Sequence, residues 1–405
     1  MKKYTLDELI FFALCLFAFS MIFSVTAVEA SLFLILALLL AKKRVDRTLG
    51  DIRPALTSHP LFIPWTLYLG VCLLTSITAY YPLKGLGQLN SDLLKYVCLA
   101  TLLLAVKKEH LPALSRFYVG GAALASLIGL GQVAHIFPSI YDYDPSAVRA
   151  NALMNAVRFS EVMVLALALA IPKALSPLPS GSRRERFFYG ASAAAIFTAT
   201  IFSQTRGAYL GLAALVVCLF IYGRDFRLRI LLLTGVMAAV VAAAAFTNPY
   251  IRGRLLTVTK KADSGLNEYG ALNTRKELWK TGYKMLKAHP VVGIGPDNVK
   301  PLFLTFHPEL LEMKRWGSLH SIYVHQAAER GLLGLGALLL LFAAMWRFAR
   351  ERFDAAKSPY PLWALCALPA YYVMNLTEIS FQHVHTSFAI FMALAFSAAA
   401  GEEKV

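Results

Sequence analysis

The chain has 405 residues, of which 58% are hydrophobic and only 16% charged, and its net charge is +16. Soluble globular chains are nearer half apolar and a quarter charged, so this composition excludes an ordinary water-soluble domain. The basic excess belongs mostly to short loops between apolar runs, as the positive-inside rule expects, and gives no argument for nucleic-acid binding.

At the N-terminus, "MKK", an apolar core and "VEA" before Ser31 imitate a signal peptide. A second apolar run follows directly, so the segment reads as a first spanning helix near 8–24. Further apolar runs near 26–41, 61–79, 92–106, 113–136, 160–177, 187–203, 207–222, 229–247, 319–346, 360–376 and 385–400 predict twelve spans in all. Lipid offers backbone groups no partners, and runs this long without strict alternation mean helices. The expected fold is therefore an all-α polytopic membrane protein. The five cysteines, Cys15, Cys72, Cys98, Cys218 and Cys366, fall inside predicted spans and read as small buried hydrophobes.

The connections alternate in character. "KKRVDR", "KKEH", "SRRER", "GRDFRLR" and "RFARERF" are basic, whereas "YYPLKGLGQLN", "SQTRG" and "NLTEISFQHVH" carry almost no Lys or Arg. This parity places both termini in the cytoplasm. Three parts follow: residues 1–247 with spans one to nine, a large outer loop over 248–318, and residues 319–405 with the last three spans. Within the loop, "NTRKELWKTGYKMLKAHP" has Leu278, Met285 and Leu286 near helical spacing and a terminating Pro290. It predicts an amphipathic helix near 272–288 lying over the outer membrane face, followed by a turn at "VVGIGPDN".

Polar chemistry in such a chain belongs at helix ends or in cavities, since burying it elsewhere costs several kcal/mol. Arg206, in "FSQTRGAYLG", reads either as a snorkelling arginine or as a bidentate phosphate grip beside Gly207, with Gln204 as its neighbour. Arg275, with Lys276 and Lys280, is either part of a solvated basic face or a source of cations for a pyrophosphate. His320 opens the tenth span, and a neutral imidazole can accept a proton at neutral pH. It reads either as a satisfied polar residue at a helix start or as a general base. Tyr323 shares its face, His325 and Glu329 form an i,i+4 pair on another, and Gly331, Gly334 and Gly336 allow close helix packing. Lys84 and Arg149, in outer loops, can add positive charge to a lipid-phosphate site. Asp142 and Asp144 are a carboxylate pair that reads first as an exposed turn, and His383 and His385 form a His-x-His without a third ligand nearby. Asn375-Leu376-Thr377 matches a glycosylation acceptor by chance.

One combination resembles a known family. O-antigen ligases carry a histidine, a small polar residue, nine arbitrary residues, then Gly-x-x-Gly. Here that reads His320-Ser321, "IYVHQAAER", Gly331-Leu332-Leu333-Gly334. The family also has one arginine in a short outer turn and another in a large periplasmic loop before the histidine, places occupied by Arg206 and Arg275. The resemblance implies a bacterial inner-membrane enzyme similar to the GT-C type glycosyltransferases, with its site facing the periplasm. It implies transfer of a finished O-antigen glycan from undecaprenyl pyrophosphate to lipid A-core, with inversion and without ATP, metal or other cofactor. It further implies that His320 is the base and that Arg206 and Arg275 hold the pyrophosphate, while Tyr323, Gln204, Lys84 and Arg149 stay secondary.

An O-antigen polymerase or a protein O-oligosaccharyltransferase of the same superfamily is the nearest alternative reading. The latter tend to be longer, and this sequence stops with "GEEKV" on the expected cytoplasmic side. A transporter of polyprenyl-linked glycan would show internal repeats and polar groups near the bilayer midplane, and neither pattern is evident.

Overall fold

The computed structural model describes residues 4–140, 148–175, 182–247, 251–253, 271–308 and 316–401, and every regular element among them is helical. In chain order these are α1 (Leu6–Ser20), α2 (Val25–Val45), α3 (Ile52–Thr57), α4 (Phe62–Ile77), α5 (Pro82–Ala105), α6 (Leu111–Val133), α7 (Ala156–Leu175) and α8 (Arg183–Phe202). There follow α9 (Arg206–Tyr222), α10 (Arg227–Thr247), α11 (Ala271–Ala288), α12 (Val299–Phe306), α13 (Ile322–Ala356), α14 (Pro359–Met374) and α15 (Val384–Ala400). Twelve of these helices fall one by one on the twelve apolar runs.

Local signals explain many of the ends. Thr5 and Glu8 close a capping box on α1, and Ser24 and Ser182 cap α2 and α8. Pro82 sits in the first turn of α5, which begins about ten residues earlier than the apolar run suggested. α13 continues to Ala356 because Arg347–Glu351 and Arg350–Asp354 pairs, each 2.8 Å, support an exposed helical extension. Taken singly, Val25–Val45, Lys108–Val133, Arg224–Thr247 and Ile322–Ala356 are long and apolar enough to cross a membrane; α3 and α4, bent by 88°, pass as a pair. The other long helices are shorter or carry polar residues, of which Asp92, Lys95 and Glu161 are buried.

The core lies on α7, α14 and α15. Residues from Phe159 to Lys173 and from His385 to Ser397 are buried throughout, and Trp363 Nε1 donates to the Leu165 carbonyl at 2.9 Å. α10 is the opposite case, exposing Leu228, Leu232, Val236 and Phe246 on a lipid-like surface. α1 packs into the bundle through Ile10, Leu14 and Phe17. The amphipathic helix is present as α11, and its apolar stripe is docked rather than free. Leu278 and Met285 join Ile294, Phe303, Leu319 and Ala328 in a second, smaller core, and Gly282 lies against Val324 and Leu319.

The glycine pattern on α13 has a different role from the one the sequence suggested. Gly331 has φ 64° and ψ −166°, so the helix breaks there. The 290–295 turn enters the break. Ile294 N–H donates to the Ala328 carbonyl at 3.0 Å and Gly295 N–H to that of Glu329 at 2.8 Å, while Leu332 N–H donates to Pro290 at 2.8 Å. These bonds replace the missing helical ones. A Cβ at Gly331 would lie 2.2 Å from the Val291 carbonyl oxygen, and one at Gly293 2.4 Å from the Glu329 backbone. The glycines thus admit a loop, not a neighbouring helix, and Gly336 has nothing within 4 Å to demand a glycine.

Candidate active site

The start of α13 is pinned to the connection between α14 and α15. Ile322 N–H donates to the carbonyls of both Asn375 and Glu378, each at 3.0 Å. Asn375 is fully buried; it donates to the Tyr371 carbonyl and accepts from Phe381 N–H. Its role is to shape this turn, and its burial removes it as a glycosylation acceptor. His320, just before the helix, has φ 48°, a left-handed conformation that costs about 1–3 kcal/mol away from glycine and is retained where surrounding structure imposes it.

That conformation sets His320 Nδ1 2.9 Å from Glu378 Oε2. The other carboxylate oxygen, Oε1, accepts from Arg275 Nη2 at 2.7 Å. Two residues singled out in the sequence are therefore joined through a third that was not. Burial by itself would raise the Glu378 carboxyl, but the His320 hydrogen bond, and the charges of His320, Arg275 and His383, hold it below the ordinary carboxylate range. An ionised Glu378 accepts the Nδ1 proton and leaves the Nε2 lone pair for a substrate.

Arg206 opens α9 at the same end of the bundle. Gly207 packs so closely on the α14–α15 connection that a Cβ there would lie 2.6 Å from Thr377 Oγ1, next to Glu378. The preceding turn holds Gln204 at φ 55°, buried. Arg149 braces that turn, donating to the Ser203 carbonyl at 2.7 Å and to Thr205 Oγ1 at 3.0 Å. Lys84 is exposed in the first turn of α5, shortly after Tyr80 and Tyr81, whose N–H groups donate to the Ile294 carbonyl at 3.1 Å and to Asn298 Oδ1 at 2.8 Å. Tyr323 is turned away, its hydroxyl donating to the Tyr372 carbonyl at 2.9 Å.

A cavity of about 550 Å³ opens at this end, lined by His320, Glu378, His383, His385, Asn155 and Arg158 among others. His385 Nδ1 is held by the Met21 carbonyl. A second cavity of 350 Å³ lies at the other end of α9, around Tyr222 and Arg350, and holds no histidine. His325 and Glu329 belong to neither. They lie deeper, next to Arg330, which is fully buried and meets Asp92 Oδ2 at 2.7 Å. No group of three His, Cys, Asp or Glu side chains among the described residues could hold a metal ion. Asp142 and Asp144 lie outside the described residues.

Sequence reading missed Glu378, although its signal was present: a carboxylate in a short connection between two apolar runs. It also missed Glu161, fully buried within α7, where an acidic residue inside a span is by default a functional candidate.

Fold and site together define an all-α, multi-pass membrane protein with a carboxylate–histidine pair and arginines gathered at one end of its bundle. Residues 191–339 match the family model described as O-antigen ligase. The matched segment contains Arg206, Arg275, His320 and the Gly331–Gly334 pattern. No curated protein matches the chain. Glu378, His383 and His385 lie outside the matched segment, so part of the site comes from the connection between α14 and α15 and from the start of α15.

Proposed function

We propose that the protein is an O-antigen ligase of the bacterial inner membrane, with both termini cytoplasmic and the cavity open to the periplasm. The observation that carries this reading is the His320–Glu378–Arg275 chain at the mouth of a cavity, with His320 and Arg275 inside the segment that matches the O-antigen ligase family. The parity of basic loops supports the orientation.

The donor is undecaprenyl pyrophosphate carrying a finished glycan. Arg206 and Arg275 hold its pyrophosphate. An arginine has donors on three nitrogens, so the Glu378 bond leaves Arg275 able to engage a phosphate as well. His320 Nε2 takes the proton from an acceptor hydroxyl as that oxygen bonds to the anomeric carbon. The bond from that carbon to the pyrophosphate oxygen breaks, and the electron pair leaves on undecaprenyl pyrophosphate. One displacement inverts the configuration. Glu378 fixes the imidazole tautomer and stabilises the imidazolium that forms. The general base contributes about 10²–10⁴-fold, and arginines aimed at the leaving group add several kcal/mol. The pyrophosphate brings its own activation, so the reading requires neither ATP nor a metal.

The test is product analysis with purified protein, undecaprenyl-pyrophosphate-linked glycan and lipid A-core. Glycan on lipid A-core is the expected product. Longer glycan on the polyprenyl carrier, with lipid A-core unmodified, would make the protein a polymerase instead.

A further inference from the structure

One histidine of the cavity, His383, faces a second carboxylate that the proposed chemistry does not use. Glu161 is fully buried in α7, at the head of the apolar run Val162–Ile171. Its Oε1 accepts from Ser380 Oγ at 2.7 Å, but its Oε2 makes no hydrogen bond. His383 Nδ1 stands 3.6 Å from that oxygen and also makes none. A buried unpartnered carboxylate oxygen costs several kcal/mol, and such groups persist in spans where they serve a site. The gap is just beyond hydrogen-bond length, so a small rotation of the imidazole closes it.

We infer that His383, set by Glu161, contacts the saccharide headgroup of the acceptor glycolipid beside His320. This rests on the ligase reading above. With Nδ1 turned to Glu161, His383 presents Nε2 to the cavity it lines together with His320. The two oxygens of Glu378 divide the site, since Oε1 meets Arg275 on the pyrophosphate side and Oε2 meets His320. The wall that His383 shares with Asn155 and the exposed Arg158 is left for the acceptor. Imidazole, amide and guanidinium suit a sugar that carries hydroxyls and an anionic substituent such as phosphate or carboxylate. Glu161 is a positioning residue. It touches no substrate and acts by fixing the ring of His383.

The experiment is steady-state transfer with each substrate varied in turn, for wild type, His383→Ala, His383→Gln and Glu161→Gln. Loss of one hydrogen bond to the acceptor raises its KM by about tenfold in His383→Ala. The KM for the polyprenyl donor stays within about twofold and kcat within about threefold, because the base and the pyrophosphate grip are intact. His383→Gln, which keeps a polar atom within reach, recovers part of the loss, and Glu161→Gln shows a smaller rise in the same KM. A uniform fall in kcat with unchanged acceptor KM would overturn the assignment. Binding of lipid A-core to the inert His320→Ala protein, with and without His383→Ala, reads the subsite apart from the reaction. If wild type elongates lipid-linked glycan instead of ligating, the ligase reading fails. The subsite then stands if His383→Ala weakens binding of the lipid-linked acceptor by about tenfold, and falls if that affinity is unchanged.

Discussion

Two ion-pair clusters lie along the same stretch of chain, one at His320 and one at Arg330, and the contrast between them separates chemistry from scaffolding. At the first, the side chains of His320 and Arg275 are 26% and 21% exposed around a Glu378 that is 8% exposed. At the second, Arg330 is 0% and Asp92 2% exposed, with Lys95 3.4 Å from the same carboxylate and Gln326 3.1 Å from the guanidinium. The residue types are similar. The outer cluster borders a cavity, holds its histidine in a left-handed conformation and leaves Nε2 uncommitted. The inner cluster is closed on itself and ties α5 to α13 directly beside the Gly331 break. A charge network becomes a site where a substrate can reach it and structural where none can.

That contrast can be broken in several places. The largest expected effect on stability belongs to the inner cluster. Arg330→Ala takes from buried Asp92 its 2.7 Å partner, leaving Lys95 at 3.4 Å, and should cost about 3–5 kcal/mol, seen as lost expression or a much lower Tm. Replacing all three charged members with apolar residues, Arg330→Met with Asp92→Leu and Lys95→Met, should recover most of that loss. Recovery of stability with transfer activity intact would confirm a scaffolding role.

Glu378→Gln sharpens the outer side. It should lower Tm modestly at neutral pH, where the ionised carboxylate contributes stability, and lower the transfer rate about ten- to hundredfold, since His320 loses its orienting carboxylate. Because the folded pKa of Glu378 is depressed, its contribution to stability is present above the unfolded value of about 4.3 and is lost as pH falls through the folded value. Wild type should therefore lose Tm more steeply than Glu378→Gln below about pH 4.3.

The glycines give the smaller effects. Gly331→Ala, forced against the Val291 carbonyl in a left-handed conformation, should destabilise by about 1–3 kcal/mol or more. Gly336→Ala, with open space and helical geometry, should be neutral or stabilising by up to about 1 kcal/mol. Thermal unfolding of the two variants side by side distinguishes a loop-admitting glycine from one the pattern includes by coincidence.

Much of the fold was legible in the sequence because lipid imposes a simple rule. Long apolar runs must be helices, and the twelve runs became twelve helices, with α11 matching the amphipathic stretch as well. Arg206 and His320 stood out as polar residues at the ends of apolar runs, Arg275 as a cation on the amphipathic stretch, and all three fit a family pattern. Glu378 was not, since its partners lie 58 and 103 positions away and no periodicity links them. Glu161 was hidden within an apolar run whose average dominated the reading. The work of Gly331 was misread because its partner is a loop, "VVGIG", whose docking has no signature in a helical pattern.

The most direct measurement is turnover of undecaprenyl-pyrophosphate-linked glycan and lipid A-core by purified wild type and His320→Ala, both in excess chelator. The account predicts full transfer by wild type and a loss of at least about a hundredfold in a His320→Ala protein whose Tm is unchanged. Transfer by His320→Ala at the wild-type rate would contradict it.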